Sequence, residues 1–272
     1  MNKVLLLFGW MLIFTASLRS QELYVFSDPA SNVPARSLSA KLTARFADNE
    51  ESGKLAQRYM PELMAGISKN IMLRASTTFS DFYSDNLKWE SAKAYLKWRF
   101  YSKDGIHNHF RMAAFADGSY SRNNMVYEEM NLDGDNSGVQ AGLIATQLVN
   151  KLAVSGTASL MVLTDKEPAL HHGREYERSA LNYSLSAGYL LFPREYESYD
   201  QVNLNLYLEL LGMKGLEAGM YYTDIAPSVQ LIFNSATKLN LGARFQASGN
   251  MSRIARNNYF LSLETTFLNV FR

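Results

Sequence analysis

Charged residues interleaved with apolar ones at intervals of two are the first candidates for chemistry in this chain. Lys41 and Arg45 stand on the polar side of one alternating segment. Arg74, Lys93, Lys97, Arg99, Arg111 and Arg244 stand on the polar side of others, in company with Glu62, Asp117, Glu209, Asp224 and Glu264. If each segment is a strand, successive side chains point to opposite faces and these groups gather on one common face. Two chemistries follow from such a face. Rings of arginine and lysine along a wet pathway select anions. The same charges confined where water is scarce must find partners and fill the space between them.

The remaining reactive groups point less far. Asp133-Gly-Asp-Asn-Ser-Gly138 opens like a calcium-binding loop, but the twelfth position, where an acidic ligand is needed, is Ile144. A turn rich in Asp, Asn and Gly accounts for the segment. His107 with His109, and His171 with His172, have no carboxylate or cysteine beside them at metal-ligand spacing, so surface histidines are expected and no metal or cofactor is implied. Hydrolysis of lipids by a serine and a histidine on a barrel wall would need a base and an orienting group around the nucleophile. His109 alone lies near a strand interior and no Gly-x-Ser-x-Gly elbow occurs, so no catalytic residue is assigned.

The elements that must position these charges are legible as alternation. Leu38, Ala40, Leu42, Ala44 and Phe46 alternate with polar residues, as do Ala92, Ala94, Leu96, Trp98 and Phe100, and later Val202, Leu204, Leu206, Leu208 and Leu210. The pattern predicts about twelve strands, near 36–48, 57–67, 71–80, 87–101, 107–119, 137–148, 151–163, 179–191, 201–212, 221–233, 237–248 and 256–268. Short links alternate with longer ones, as in barrels whose short turns lie in the periplasm. Aromatic residues collect at strand ends, where interfacial girdles would lie. A soluble β-sandwich also alternates. Strands of ten or more residues are long for it and match the tilted length that crosses a bilayer.

The chain of 272 residues has a formal net charge of +1 and no cysteine, which argues against nucleic acid as a partner and excludes disulfides. Residues 1–20 read as a secretory signal, with Lys3 before an apolar run from Val4 to Phe14. Residues 21–35, broken by Pro29 and Pro34, are expected as a periplasmic tail or a short insertion into the lumen. Residues 36–272 are expected to form an all-β, antiparallel transmembrane β-barrel in an outer membrane, with both of its termini in the periplasm.

Three stretches carry a resemblance: Gln21-Glu-Leu-Tyr-Val-Phe-Ser-Asp-Pro-Ala-Ser-Asn-Val-Pro-Ala35, Pro61-Glu-Leu-Met-Ala-Gly-Ile-Ser-Lys-Asn-Ile-Met-Leu73 and Ala226-Pro-Ser-Val-Gln-Leu-Ile-Phe-Asn-Ser-Ala-Thr-Lys-Leu-Asn-Leu-Gly242. Together they resemble Bacteroidetes-type outer-membrane β-barrel proteins and, more weakly, the outer-membrane transporter-like family associated with aromatic-compound degradation. The resemblance implies a Gram-negative outer membrane, outer-membrane lipids around the wall, and barrel-assembly machinery that reads a closing strand like Tyr259 to Arg272. It brings no catalytic motif. The expectation is a channel or facilitator for small solutes, anions among the candidates. A plugged structural or surface-binding barrel is the alternative.

Overall fold

The computed structural model describes residues 24–48, 53–124, 126–164, 177–193 and 201–271. Residues 1–20, read as a signal, and His171 and His172 lie outside the described residues.

Twelve strands form one closed antiparallel barrel: β1 (Leu38–Asp48), β2 (Leu55–Gly66), β3 (Ile71–Ser80), β4 (Lys88–Asp104), β5 (Asn108–Ser121), β6 (Gly138–Val149), β7 (Leu152–Leu163), β8 (Ser179–Phe192), β9 (Asn203–Gly215), β10 (Tyr221–Phe233), β11 (Thr237–Gly249) and β12 (Asn257–Phe267). Each pairs with its sequence neighbours. The ring closes between β1 and β12, from Leu38 opposite Phe267 to Ala47 opposite Asn258. Closure removes every sheet edge, so the ladders satisfy the strand backbone without water.

The alternation read from the sequence becomes an inside-out distribution. Leu63, Leu96, Leu143, Leu185, Leu208 and Leu263 stand exposed on the outer wall, while Ser39, Thr146, Ser186, Asn205, Gln230 and Asn240 are buried within. That is the arrangement of a transmembrane barrel. Exposed aromatic side chains ring the wall at two heights. Trp98, Phe100, Tyr101 and Tyr189 lie toward the short-turn end, and Tyr120, Phe245 and Tyr259 toward the long-loop end.

The described part of the 21–35 segment runs inside the barrel and not beyond its rim. Its prolines prevent a regular strand, but its N–H groups find acceptors on the inner wall, for example Ala30 N–H on Thr146 Oγ1 at 2.9 Å. The chain then reaches β1 past the end of β2, where Arg36 N–H donates to the Gly66 carbonyl at 2.6 Å and Gly66 N–H donates to the Ser37 carbonyl at 2.9 Å. A β-carbon on Gly66 would sit 2.0 Å from the Pro34 carbonyl oxygen. Gly66→Ala must therefore push the segment away from the wall, at a cost of about 1–3 kcal/mol. Urea unfolding in liposomes should show that loss, together with new protease cleavage within residues 24–35. Unchanged stability and unchanged protection would contradict this packing.

Candidate lumen site

At the short-turn end, side chains of seven strands, Thr146 on β6 among them, read the backbone and side chains of residues 24–31. Glu209 on β9 is the principal acceptor. Its Oε1 takes the N–H groups of Val25 and Phe26, and its Oε2 takes that of Ser27, each at 2.9 Å. Ser186 on β8 donates to the same carboxylate at 3.1 Å and meets the Ser27 hydroxyl at 2.7 Å. A buried carboxylate that accepts several N–H groups is compensated for its lost hydration. Lys97 on β4 donates from Nζ to the Pro29 and Ser31 carbonyls at 2.8 and 2.7 Å. Arg111 on β5 donates to Ser31 Oγ at 2.8 Å. Arg74 on β3 pairs with Asp28 at 2.9 Å and also approaches Glu62 at 3.7 Å. Burial pushes the Asp28 carboxyl upward, but Arg74, Lys97 and Lys41 together outweigh it and hold the group well below the usual carboxylate range. Rings complete the contact: Phe26 against Phe260 at 4.4 Å and Tyr24 against Tyr207 at 5.7 Å.

At the long-loop end, residues 126–137 fold inward. Glu129 accepts from Arg253 at 2.8 Å and lies 3.9 Å from Arg244. Both arginines also meet Asp224 on β10. Asp133 pairs with Lys93 at 2.9 Å, and Lys93 reaches Asp117 at 3.4 Å. Asp135 pairs with Arg58 on β2, which also meets Glu90 at 3.0 Å. Met130 and Leu132 are buried among Met161, Met213, Tyr222 and Met251. Glu128 and Ser252 exchange hydrogen bonds, tying this loop to residues 250–256.

The other charges read from the sequence fall as follows. Lys41 lies 3.6 Å from Glu62, and Glu264 takes Lys238 at 2.8 Å and Ser39 at 2.9 Å. Arg99 donates to the Lys69 carbonyl in the turn after β2, at 2.6 Å, and stands apart from the central group. Arg45 donates from Nε to Asn258 Oδ1 at 2.8 Å. Arg58 and Lys238 join the lumen charges on the parity of their strands, a signal present in the sequence but blurred by mixed flanks such as Gln57 and Tyr59; Glu90 stands off the inward parity of β4, at the register shift between Ser91 and Trp89, where alternation could not announce it. Glu129 and Arg253 lie in loops, where no periodicity could announce them.

Between the two inward-folded segments lies a cavity of about 360 Å³, lined by Lys41, Arg45, Arg74, Lys93 and Arg244 and by Asp28, Glu62, Asp117, Glu129 and Asp133 among others. The two carboxylates of the calcium-like motif are each held by a cation, Lys93 and Arg58. Near the short turns, Asp104 receives both the Ser102 hydroxyl at 3.2 Å and His109 Nδ1 at 2.8 Å. The aspartate stands between the other two, so the histidine does not activate the serine as a nucleophile would require.

No family model matches the chain, and no curated protein matches it. Solved structures do. An outer membrane channel from Pseudomonas putida F1 superposes with a TM-score of 0.59 at 12% identity, covering 90% of this chain and 100% of that one. The KdgM porin superposes with a TM-score of 0.50, also at 12% identity, covering 84% of this chain and 99% of that one. The chain has the fold of an outer-membrane β-barrel. At this identity the likeness establishes the fold alone.

Because Glu129 ties the inward loop to Arg253 and Arg244, the loop's docking depends on pH in a defined direction. Burial raises its carboxyl, but the arginines outweigh burial and bring it to about 2, below its ordinary 4.5. A lowered value means that the stabilisation is complete above the ordinary value and is lost as pH falls toward 2. Spin labels at Val126 and Ser248 should keep a narrow distance distribution from about pH 8 to about pH 5 and broaden only below about pH 4. Broadening already near neutrality would contradict the assignment.

Proposed function

We propose that the protein is an outer-membrane barrel that passes small solutes through a normally closed lumen. In this reading residues 24–35 are the stopper at the periplasmic end, and residues 126–137 are the constriction facing outward. The observation that carries it is the polar cavity of about 360 Å³ held between two segments whose charge pairs and hydrogen bonds to the wall are joined by smaller apolar contacts, those of Met130 and Leu132 at one end and of Tyr24 and Phe26 at the other. Fixings of this kind can be released and remade without unfolding the wall. The apolar outer face and two aromatic girdles support a site within lipid. The fold shared with the Pseudomonas putida F1 outer membrane channel supports passage as the role.

The resemblance to Bacteroidetes-type barrels supports a Gram-negative outer membrane with the termini in the periplasm. It also supports delivery by barrel-assembly machinery. Cavity charges of the two signs balance, five of each among those named above. Preference for anions must therefore come from local imbalance and not from a uniformly basic lumen.

The pairing of nearly all the lumen charges favours a second reading, a permanently plugged structural barrel. Planar-bilayer recording separates the two. Wild-type protein should show low conductance with rare openings, and deletion of residues 24–35 should raise the mean current several-fold. Arg74→Ala with Glu209→Ala should raise the open probability without changing the open-state current. A folded deletion variant as silent as the wild type would establish the plugged barrel instead.

A further inference from the structure

Arg45 differs from the other cations around the cavity. Arg74, Lys93, Arg244, Arg253 and Arg58 each face a carboxylate, whereas no carboxylate forms an ion pair with Arg45 among the described residues. Its single hydrogen-bond partner there is Asn258 on β12, and that bond uses Nε, leaving both terminal nitrogens without a protein acceptor. The bond also fixes the Asn258 amide. With Oδ1 turned to Arg45, the Nδ2 donor has no partner, although the residue is only 2% exposed. Thr43, two residues before Arg45 and on the same inner face, is 7% exposed and its hydroxyl is likewise unpartnered. All three line the lumen cavity.

Unmet buried donors beside a guanidinium that makes no direct ion pair are the inverse image of an oxyanion. We infer that Arg45 and Asn258, flanked by Thr43 on the same face, form a carboxylate-binding site inside the lumen, taking a small monocarboxylate with a short apolar body. The two terminal nitrogens of a guanidinium match the two oxygens of a planar carboxylate, a geometry that a spherical ion such as chloride cannot use. Glu129 and Glu62 line the same cavity and would repel a dianion, which limits the charge of the ligand to one. Phe26, Met60 and Phe260 also line it and give an apolar substituent somewhere to lie.

The inference rests on solutes reaching the lumen, and it is tested by binding, which needs no current. Butyrate should bind calorimetrically to the detergent-folded full-length mature chain, and butyramide, equal in size but uncharged, should not. Arg45→Gln should weaken butyrate binding by about tenfold or more. Arg45→Lys should retain part of the affinity as a point charge, and Thr43→Val should reduce it by a smaller factor. If Arg45→Gln does not fold, Asn258→Asp replaces it, since an added negative charge at that position should abolish binding.

Butyramide binding as tightly as butyrate, unchanged affinity in Arg45→Gln, or absence of binding in the wild type would each overturn the site. Butyrate binding that is lost in Arg45→Gln, in a protein that never conducts, supports the site and removes only the reading of passage. Conduction with butyrate permeability unaffected by Arg45→Gln removes the site and leaves passage standing.

Discussion

Charge enclosed in a narrow barrel must be neutralised, and much of the interior follows from that constraint. Twelve strands leave a lumen between those that side chains fill and those that water fills. Polar inner faces satisfy the wall, but Lys93, Arg74, Lys97, Arg111 and Glu209 are too strongly charged to stand alone in restricted water. The chain meets the demand by bringing unpaired backbone and loop carboxylates to them. Glu209 draws three N–H groups of residues 25–27 inward, Lys97 takes two carbonyls, and Arg74 takes Asp28. From the other end Asp133, Asp135 and Glu129 descend onto Lys93, Arg58 and Arg253.

This gives the interior a character unlike that of the wall. The wall is a continuous hydrogen-bonded ladder with no edge, and local opening of a strand would expose backbone groups to lipid. Each inward segment is attached by side-chain contacts, polar ones chiefly and apolar ones such as those of Leu132 and Phe26, and its removal would leave the ladders untouched. Attachment by charge also gives the interior a selective element. Where a cation has its carboxylate, the lumen is inert toward anions. Where Arg45 has no ion pair among the described residues, the lumen presents donors without acceptors.

Much of this was legible in the sequence because a period of two carries both the strand and the direction of each side chain. β3 at Ile71–Ser80 and β10 at Tyr221–Phe233 coincide with the bounds expected from the alternation. β4 and β9 run further than the alternation implies, to Asp104 and Gly215, because Lys103 and Lys214 break the pattern while pairing still continues. The path of residues 24–35 was not legible. Pro29 and Pro34 forbid a regular strand but say nothing about which acceptors receive the freed N–H groups, and nothing local links Val25 to Glu209. The same holds for Glu129 and Arg253, which meet only because two loops cross above the lumen. Arg45 was visible as a lumen-facing cation. That it lacks a carboxylate is a property of three dimensions.

The central claim is that residues 24–35 close the lumen from within, and the absence of cysteine allows a direct test. Ser27 and Ser186 bring their hydroxyls to 2.7 Å, so Ser27→Cys with Ser186→Cys should form a disulfide that fastens the segment to β8. Planar-bilayer current from this variant should be absent when oxidised and return on reduction. Failure of the pair to crosslink, or a crosslinked barrel that conducts as freely as the reduced one, would contradict the account.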